Sequence, residues 1–358
     1  MVTKWETFYL LVVTLPIMGH VVLLPMVINI AGRDSWMSSL IAFMIGIIYV
    51  WILYHLRSMY PKGSVRKSIN LMLGNLMARL TFLTLMIYFI FLTALSISSL
   101  VDMVNVVFLP ETPLWALIIS FLILSMYGAT KDVKGIALTA GIVLFVVMFT
   151  GHSITFINFR DRDLFDILPL LEYGWKPVFI GAILLSNVWI EMLFLLVIPL
   201  KNNQEKGLLI IWIIGVFANV IMMLSTMSGT IMTFGLGQAE QFIYPALEII
   251  RIIDIDFIDR LDVYALILMM FGSYIRGSLF FIVGYQQIKN LIPSSKKWID
   301  IIWFILLGII VGILTYIMGE TRMRFETSLV VYSYTIFLFI FSLLLLVISK
   351  IRKKQKYY

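Results

Sequence analysis

The sequence predicts an all-α protein that crosses a membrane about ten times. Three observations predict it: too few polar residues, apolar runs without alternation, and basic residues gathered in the short segments between those runs. Of 358 residues, 61% are hydrophobic and 13% charged, whereas a soluble domain is about 45–50% apolar and about 25% charged. Such a chain cannot cover a water-facing surface, so lipid is its solvent. Runs such as SLIAFMIGIIYVWILYHL (39–56) and IIWFILLGIIVGILTYIM (301–318) are continuous. A transmembrane β-barrel would alternate. Only helices satisfy the backbone of such runs from within.

A span takes roughly 20 mostly apolar residues, which places ten at about 8–31, 36–56, 77–107, 114–130, 135–157, 177–200, 207–234, 263–288, 299–318 and 328–349. The first is read as a retained helix, because it is long and lacks a small-residue cleavage site. With the N-terminus in the cytoplasm, 18 of the 27 Lys and Arg fall on the cytoplasmic side, 8 on the outer side, and Arg276 inside a span. That bias, with an even number of spans, puts both termini inside. It also accounts for the net charge of +7 without nucleic acid as a partner. The segments 158–176 and 235–262 carry apolar residues at helical spacing (Phe242, Ala246, Ile249, Ile250, Ile253) and read as short helices on the membrane surface. Glu240, Glu248, Asp254, Asp256, Asp259 and Asp262 make the outer mouth negative, which favours cationic or zwitterionic solutes. The basic tail 350–358 reads as an anchor at the anionic inner leaflet. The whole chain, 1–358, is one transmembrane domain.

The absence of cysteine removes disulfides and thiolate chemistry. The three histidines, His20, His55 and His152, are dispersed, and no hydrolase, nucleotide-binding or metalloprotease motif occurs. No enzyme activity, metal or cofactor is expected. A membrane acyltransferase would pair a histidine with a nearby arginine in the first helix, and His20 has none.

Polar residues inside spans carry the functional signal, since an ionisable group at the bilayer centre costs about 2.5–3.5 kcal/mol. Pro16, Gly19, His20 and Pro25 crowd the first span, and each proline removes a backbone hydrogen bond. That span is therefore broken, either as a kink packed on its neighbours or as a site exposing backbone groups to a substrate. His20 fits a ligand contact or a hydrogen-bonded core histidine. In the sixth span Asn187 and Glu191 share a face, with Ser186 and Trp189 on the neighbouring stripe. Glu191 suits a substrate amine, a coupling proton, or an ion pair with Arg276. Ser96, Ser99 and Asp102 line one face of the third span, and Asn219, Thr226, Thr230 and Thr233 one face of the seventh. Such stripes also serve simple helix packing. Ser273, Tyr274, Arg276 and Ser278 lie in the eighth, where the arginine must face inward.

With these landmarks the chain resembles the B subunit of bacterial spore nutrient-germinant receptors, a branch of the amino acid–polyamine–organocation transporter superfamily. The resemblance rests on the glycine of the first span followed by an apolar run into Pro25, on YPKGSVRKSINLMLG (60–74), on VFIGAILLSNVWIEMLFLLVIPL (178–200), and on FIDRLDVYALILMMFGSYIRGSLFFIVGYQQIKNL (257–291). It spans essentially the whole chain.

The resemblance implies ten helices in a 5+5 inverted repeat, about 8–157 and 177–349, with the first and sixth unwound at a central ligand site. It implies residence in the spore inner membrane with a larger membrane A subunit and a lipoprotein C subunit. It also implies a nutrient ligand, such as an amino acid, sugar or nucleoside. Ligand-contact roles carry over to Gly19, Ser186, Asn187, Trp189 and Glu191, and His20 stands beside them as a candidate contact read from the sequence itself. Ion-pair or gating roles carry over to Arg276, Tyr274, Ser99 and Asp102. The chain departs from relatives with a Gly-x-Gly pair, because Met18, His20 and Val21 surround Gly19, a change that shrinks the site or alters its ligand. The expected function is a receptor subunit that binds a small solute and signals. The alternatives are a proton- or sodium-coupled amino acid permease on the same fold, and a structural subunit with a dead pocket.

Overall fold

The computed structural model describes residues 1–59, 65–157, 162–201, 206–253, 261–293 and 296–355; at positions 20, 65, 68, 151, 152, 154–157 and 353–355 it describes the backbone alone. In chain order the helices are α1 (Lys4–Thr14), α2 (Leu24–Ala31), α3 (Ser35–Ser58), α4 (Val65–Leu73), α5 (Asn75–Val107), α6 (Leu114–Ala129), α7 (Asp132–Ile157) and α8 (Trp175–Ile190). They continue as α9 (Phe194–Val197), α10 (Leu208–Phe234), α11 (Leu236–Ala239), α12 (Pro245–Arg251), α13 (Leu261–Leu291), α14 (Lys297–Gly319), α15 (Arg322–Ser333) and α16 (Phe337–Gln355). Among the described residues there is no strand beyond one isolated parallel bridge, Val2 with Leu200.

Eight helical stretches among them are long and apolar enough to cross a membrane, and Leu114–Ala129 is a shorter apolar helix. Two features separate this from a plain run of rods. The first predicted span is divided at Leu15–Leu23, and its second half runs into α3 through the turn Gly32–Asp34. Gly32 makes that corner with φ of +57°, a conformation that favours glycine.

The break in the first span is a change of winding. Pro16 has no N–H to give, and its ring clashes with the preceding turn. The chain answers with a π turn at Ile17–Val22, in which Leu23 N–H donates to the Met18 carbonyl at 2.9 Å. Pro25 then starts α2 at a position where a missing donor costs nothing. The sixth span changes the other way, tightening to a 3-10 turn at Glu191–Leu193 before α9 and the extended Ile198. Neither break is the unwound segment that the resemblance implied. Wide and tight turns keep the backbone groups paired in an apolar surrounding, where an open stretch would leave them unsatisfied.

The ends of α1 and α9 are tied together. Val2 N–H donates to the Pro199 carbonyl and Lys201 N–H to the Val2 carbonyl, both at 2.8 Å. Arg57, at the end of α3, donates to the Leu196 and Ile198 carbonyls at 2.8 and 3.0 Å. These carbonyls have no helical partner because α9 stops there.

The sixth span lies at the centre. Its most apolar stretch within Trp175–Val197 is 89% buried, against 22% for that of α14. Around it α5 packs along α13, α3 between α8 and α10, and α1 against α7 and α10. Small residues permit the close crossings, as where Gly46 meets Trp189 and Val216, and Gly272 meets Ile17.

Two surface expectations are corrected. Of the predicted helix over 158–176, residues 158–161 lie outside the described structure, and the rest holds only a 3-10 turn, Leu164–Ile167. Asp163 caps that turn through Phe165 N–H at 2.8 Å, and Pro169 bars continuation. In 235–262, residues 254–260 lie outside the described structure. Within the rest α12 forms, but Ala246, Leu247, Ile249 and Ile250 are buried against α10 and α13, so it caps the bundle and does not lie on lipid.

Candidate functional site: a buried ion pair where two interrupted spans meet

Glu191 opens the 3-10 turn of the sixth span, and Arg276 projects from α13; both side chains are wholly buried. Arg276 Nη2 donates to Glu191 Oε1 at 2.7 Å and Nη1 donates to Oε2, so the pair is bidentate. Tyr332 of α15 donates its hydroxyl to Oε1 at 2.6 Å. Two further guanidinium N–H groups reach Ser96 Oγ on α5 at 2.8 Å and the carbonyl of Thr14, the last residue of α1, at 3.3 Å. Phe280 lies against the guanidinium, 5.0 Å from ring centre to Cζ. The last residue of α1, α5, the turn of the sixth span, α13 and α15 thus converge on one pair of charges. A buried pair of this kind is stable only when most of its hydrogen-bonding capacity is met, and here four of the five guanidinium N–H donors have acceptors.

Of the three roles open to Glu191, the geometry realises the ion pair with Arg276. Asn187, one turn earlier, donates to the Ile183 and Leu184 carbonyls and accepts from Thr335 at 3.0 Å, linking the sixth span to the 3-10 turn after α15. Ser186 donates to the Ala182 carbonyl at 2.7 Å, Ser99 to Leu95 at 2.7 Å, and Trp189 Nε1 to the Ala42 carbonyl of α3 at 2.7 Å. These three spend their donors on backbone. The side chain of His20 lies outside the described structure.

Gly19 faces Met223: a Cβ there would come within 2.0 Å of the methionine Cε. Gly19→Ala is expected to lower stability by about 1–3 kcal/mol, the usual cost of overpacking. Pairing it with Met223→Ala should return part of that loss in thermal unfolding of the detergent-solubilised protein.

Asp102 belongs to a separate cluster at the opposite end of the bundle from Val2. Tyr244, in the loop before α12, donates to Asp102 Oδ2, and Arg322 Nη1 donates to the same oxygen at 2.8 Å. Burial, then the carboxylate beside it, holds the Tyr244 phenol well above its ordinary pKa, so it serves as a donor. Asp102→Ala leaves both donors without their acceptor. We expect a loss of about 1.5–3 kcal/mol, the range for hydrogen bonds to a charged group, and faster limited proteolysis at residues 235–253.

Tyr332, Tyr244, Arg322 and Thr14 were not singled out in the sequence. Their partners are remote in the chain, and a tyrosine in an apolar run carries no periodicity that assigns its face. Among the described residues, no group of three or more His, Cys, Asp or Glu is placed to hold a metal ion. A cavity of about 120 Å³ adjoins the break of the first span, lined by Val13, Pro16, Ile17, Val21, Met269 and Gly272 among others. It lies on the α7 and α13 side and is apolar.

A family model described as "Spore germination protein" matches residues 1–324. The chain belongs to this family of spore germination proteins. It is 26% identical over 359 residues to spore germination protein XB of Bacillus anthracis, covering 99% of both chains. It is 22% identical to spore germination protein KB of Bacillus subtilis (strain 168), covering 75% of each, and 21% identical to spore germination protein GerQB of Bacillus cereus, covering 65% of this chain and 64% of that one. The resemblance to the B-subunit family therefore holds. In this spore germination protein the ion pair and its Ser96 and Thr14 contacts fall inside the family match, while Tyr332 lies beyond residue 324.

Proposed function

We propose that the protein is the membrane subunit of a spore nutrient-germinant receptor, which binds a small amino acid-like solute at a central site and signals germination. In this reading its ten spans form two inverted five-helix repeats, both termini face the cytoplasm, and it works in the spore inner membrane with a larger A subunit and a lipoprotein C subunit. The observation that supports it most is the Glu191–Arg276 pair, held dry where both interrupted spans meet α5, α13 and α15. A zwitterionic solute offers each half of this pair a substitute: its ammonium competes for Glu191, its carboxylate for Arg276. Exchange of partners would loosen α13 and α15 from the broken spans, and the shift it drives is bounded by the solute's differential affinity for the two arrangements.

The test is a thermal-shift panel of amino acids, sugars and nucleosides on the protein in nanodiscs, with its partner subunits present. At least one solute should raise the melting temperature, and the double variant Glu191→Leu/Arg276→Met should abolish that rise. A panel without any shift would sink the reading.

A second reading, a coupled amino acid permease, draws on the closure at both ends: Val2, Pro199 and Arg57 at one, Asp102, Tyr244 and Arg322 at the other. Alternating access needs two such closures. Gradient-driven accumulation of labelled solute in proteoliposomes would favour it over a receptor alone.

A further inference from the structure

We propose that a second cavity, between α5, α6 and α13, binds a small neutral amphiphile that enters from the lipid phase. This site is distinct from the solute site above and stands whether or not that reading holds. The cavity measures about 430 Å³, within the range of small-molecule pockets. Its lip is formed by Leu124, Tyr127, Ile267 and Phe271, which are 48%, 57%, 43% and 48% exposed on helices whose outer surface is apolar. Such a mouth opens sideways toward acyl chains.

The interior is apolar, with Ile97, Leu100 and Met270 on its walls, except for a group of hydroxyls from Ser96, Ser125, Ser273 and Tyr274. Ser125 and Ser273 are only 3% and 4% exposed, and no hydrogen bond among the described residues engages either hydroxyl. Buried hydroxyls of this kind ask for a partner. No ionised side chain lines the cavity. Arg276, behind Ser96, is already neutralised by Glu191. Burying an unpaired charge here would be costly. The ligand that fits has a compact apolar body and one hydroxyl or carbonyl head. Ser96 connects this site to the ion pair, because the residue lines the cavity wall and its hydroxyl oxygen accepts from Arg276 Nε.

Photolabelling tests the site on the full chain in nanodiscs of phosphatidylglycerol and phosphatidylethanolamine, with a diazirine-bearing octanol as the probe. Adducts mapped by mass spectrometry should concentrate on the stretches around Leu124 and Phe271–Tyr274. Excess 1-octanol should reduce them about tenfold, and leucine should leave them unchanged. Ile267→Trp, which plugs the mouth from an exposed position, should reduce labelling by the same order with an unaltered melting temperature. If that variant does not fold, Leu124→Trp on the facing lip carries the same test. Even labelling of all lipid-facing helices, labelling indifferent to the tryptophan, or equal protection by leucine overturns the proposal. A phosphatidylglycerol with a diazirine in its acyl tail forms the remaining arm. If it labels the same residues and 1-octanol does not displace it, the cavity holds a resident lipid tail and the proposal is likewise overturned.

Discussion

Glu191→Leu should destabilise the protein by about 3–5 kcal/mol, the cost of leaving one member of a buried ion pair without its partner. The Arg276 guanidinium would stay wholly buried, keeping only Ser96 and the Thr14 carbonyl, and Tyr332 would lose its acceptor. Unfolding in detergent micelles, followed by circular dichroism against temperature, reads the loss directly. The double variant Glu191→Leu/Arg276→Met should recover most of it, since replacing both charges with apolar groups of similar volume is often neutral. The coupling between the two sites then comes from the double-mutant cycle. A single variant as stable as the parent would contradict the network described here.

Trp189→Ala is the second large effect. Trp189 is wholly buried, donates to the Ala42 carbonyl at 2.7 Å, and lies so close to α3 that a Cβ on Gly46 would come within 3.0 Å of its ring. Removing the indole empties the contact between α3 and the sixth span. The expected cost is about 3–5 kcal/mol, as for other large aromatic truncations in a core. Trp189→Phe keeps most of the volume and loses the hydrogen bond, so it should cost much less. Comparing the melting temperatures of the two variants separates packing from hydrogen bonding. Equal losses would mean that the hydrogen bond dominates.

What the sequence made legible divides along physical lines. Apolar runs long enough to cross lipid are set by local composition, so α5, α7, α10, α13 and α14 begin and end within a few residues of the expected spans. The break in the first span was equally legible, because Pro16 and Pro25 act on the backbone wherever they stand. Its form was not: a π turn and an open loop satisfy the same prolines, and the choice depends on what packs around Gly19. The change of winding at Glu191 has no local cause, since no proline or glycine stands nearer than Pro199. It comes with a side chain held by α13 and α15. The pairing of Glu191 with Arg276 was one of three open roles, and the structure selects it by bringing α13 beside the sixth span. Tyr332 and Tyr244 were out of reach for the same reason, because their significance depends on the element they face.

The bridge between Val2 and the Pro199–Lys201 backbone gives the two interrupted spans a common pivot. Parting them at that end means breaking two main-chain hydrogen bonds, each about 0.5–1.5 kcal/mol, together with the grip of Arg57 on the carbonyls of α9. At the far end, the contacts around Asp102 are made by side chains, and Arg322 is 39% exposed there. Any opening of the bundle is therefore expected first at the Asp102 end, where side chains alone join α5, α15 and the loop before α12, and only later at Val2.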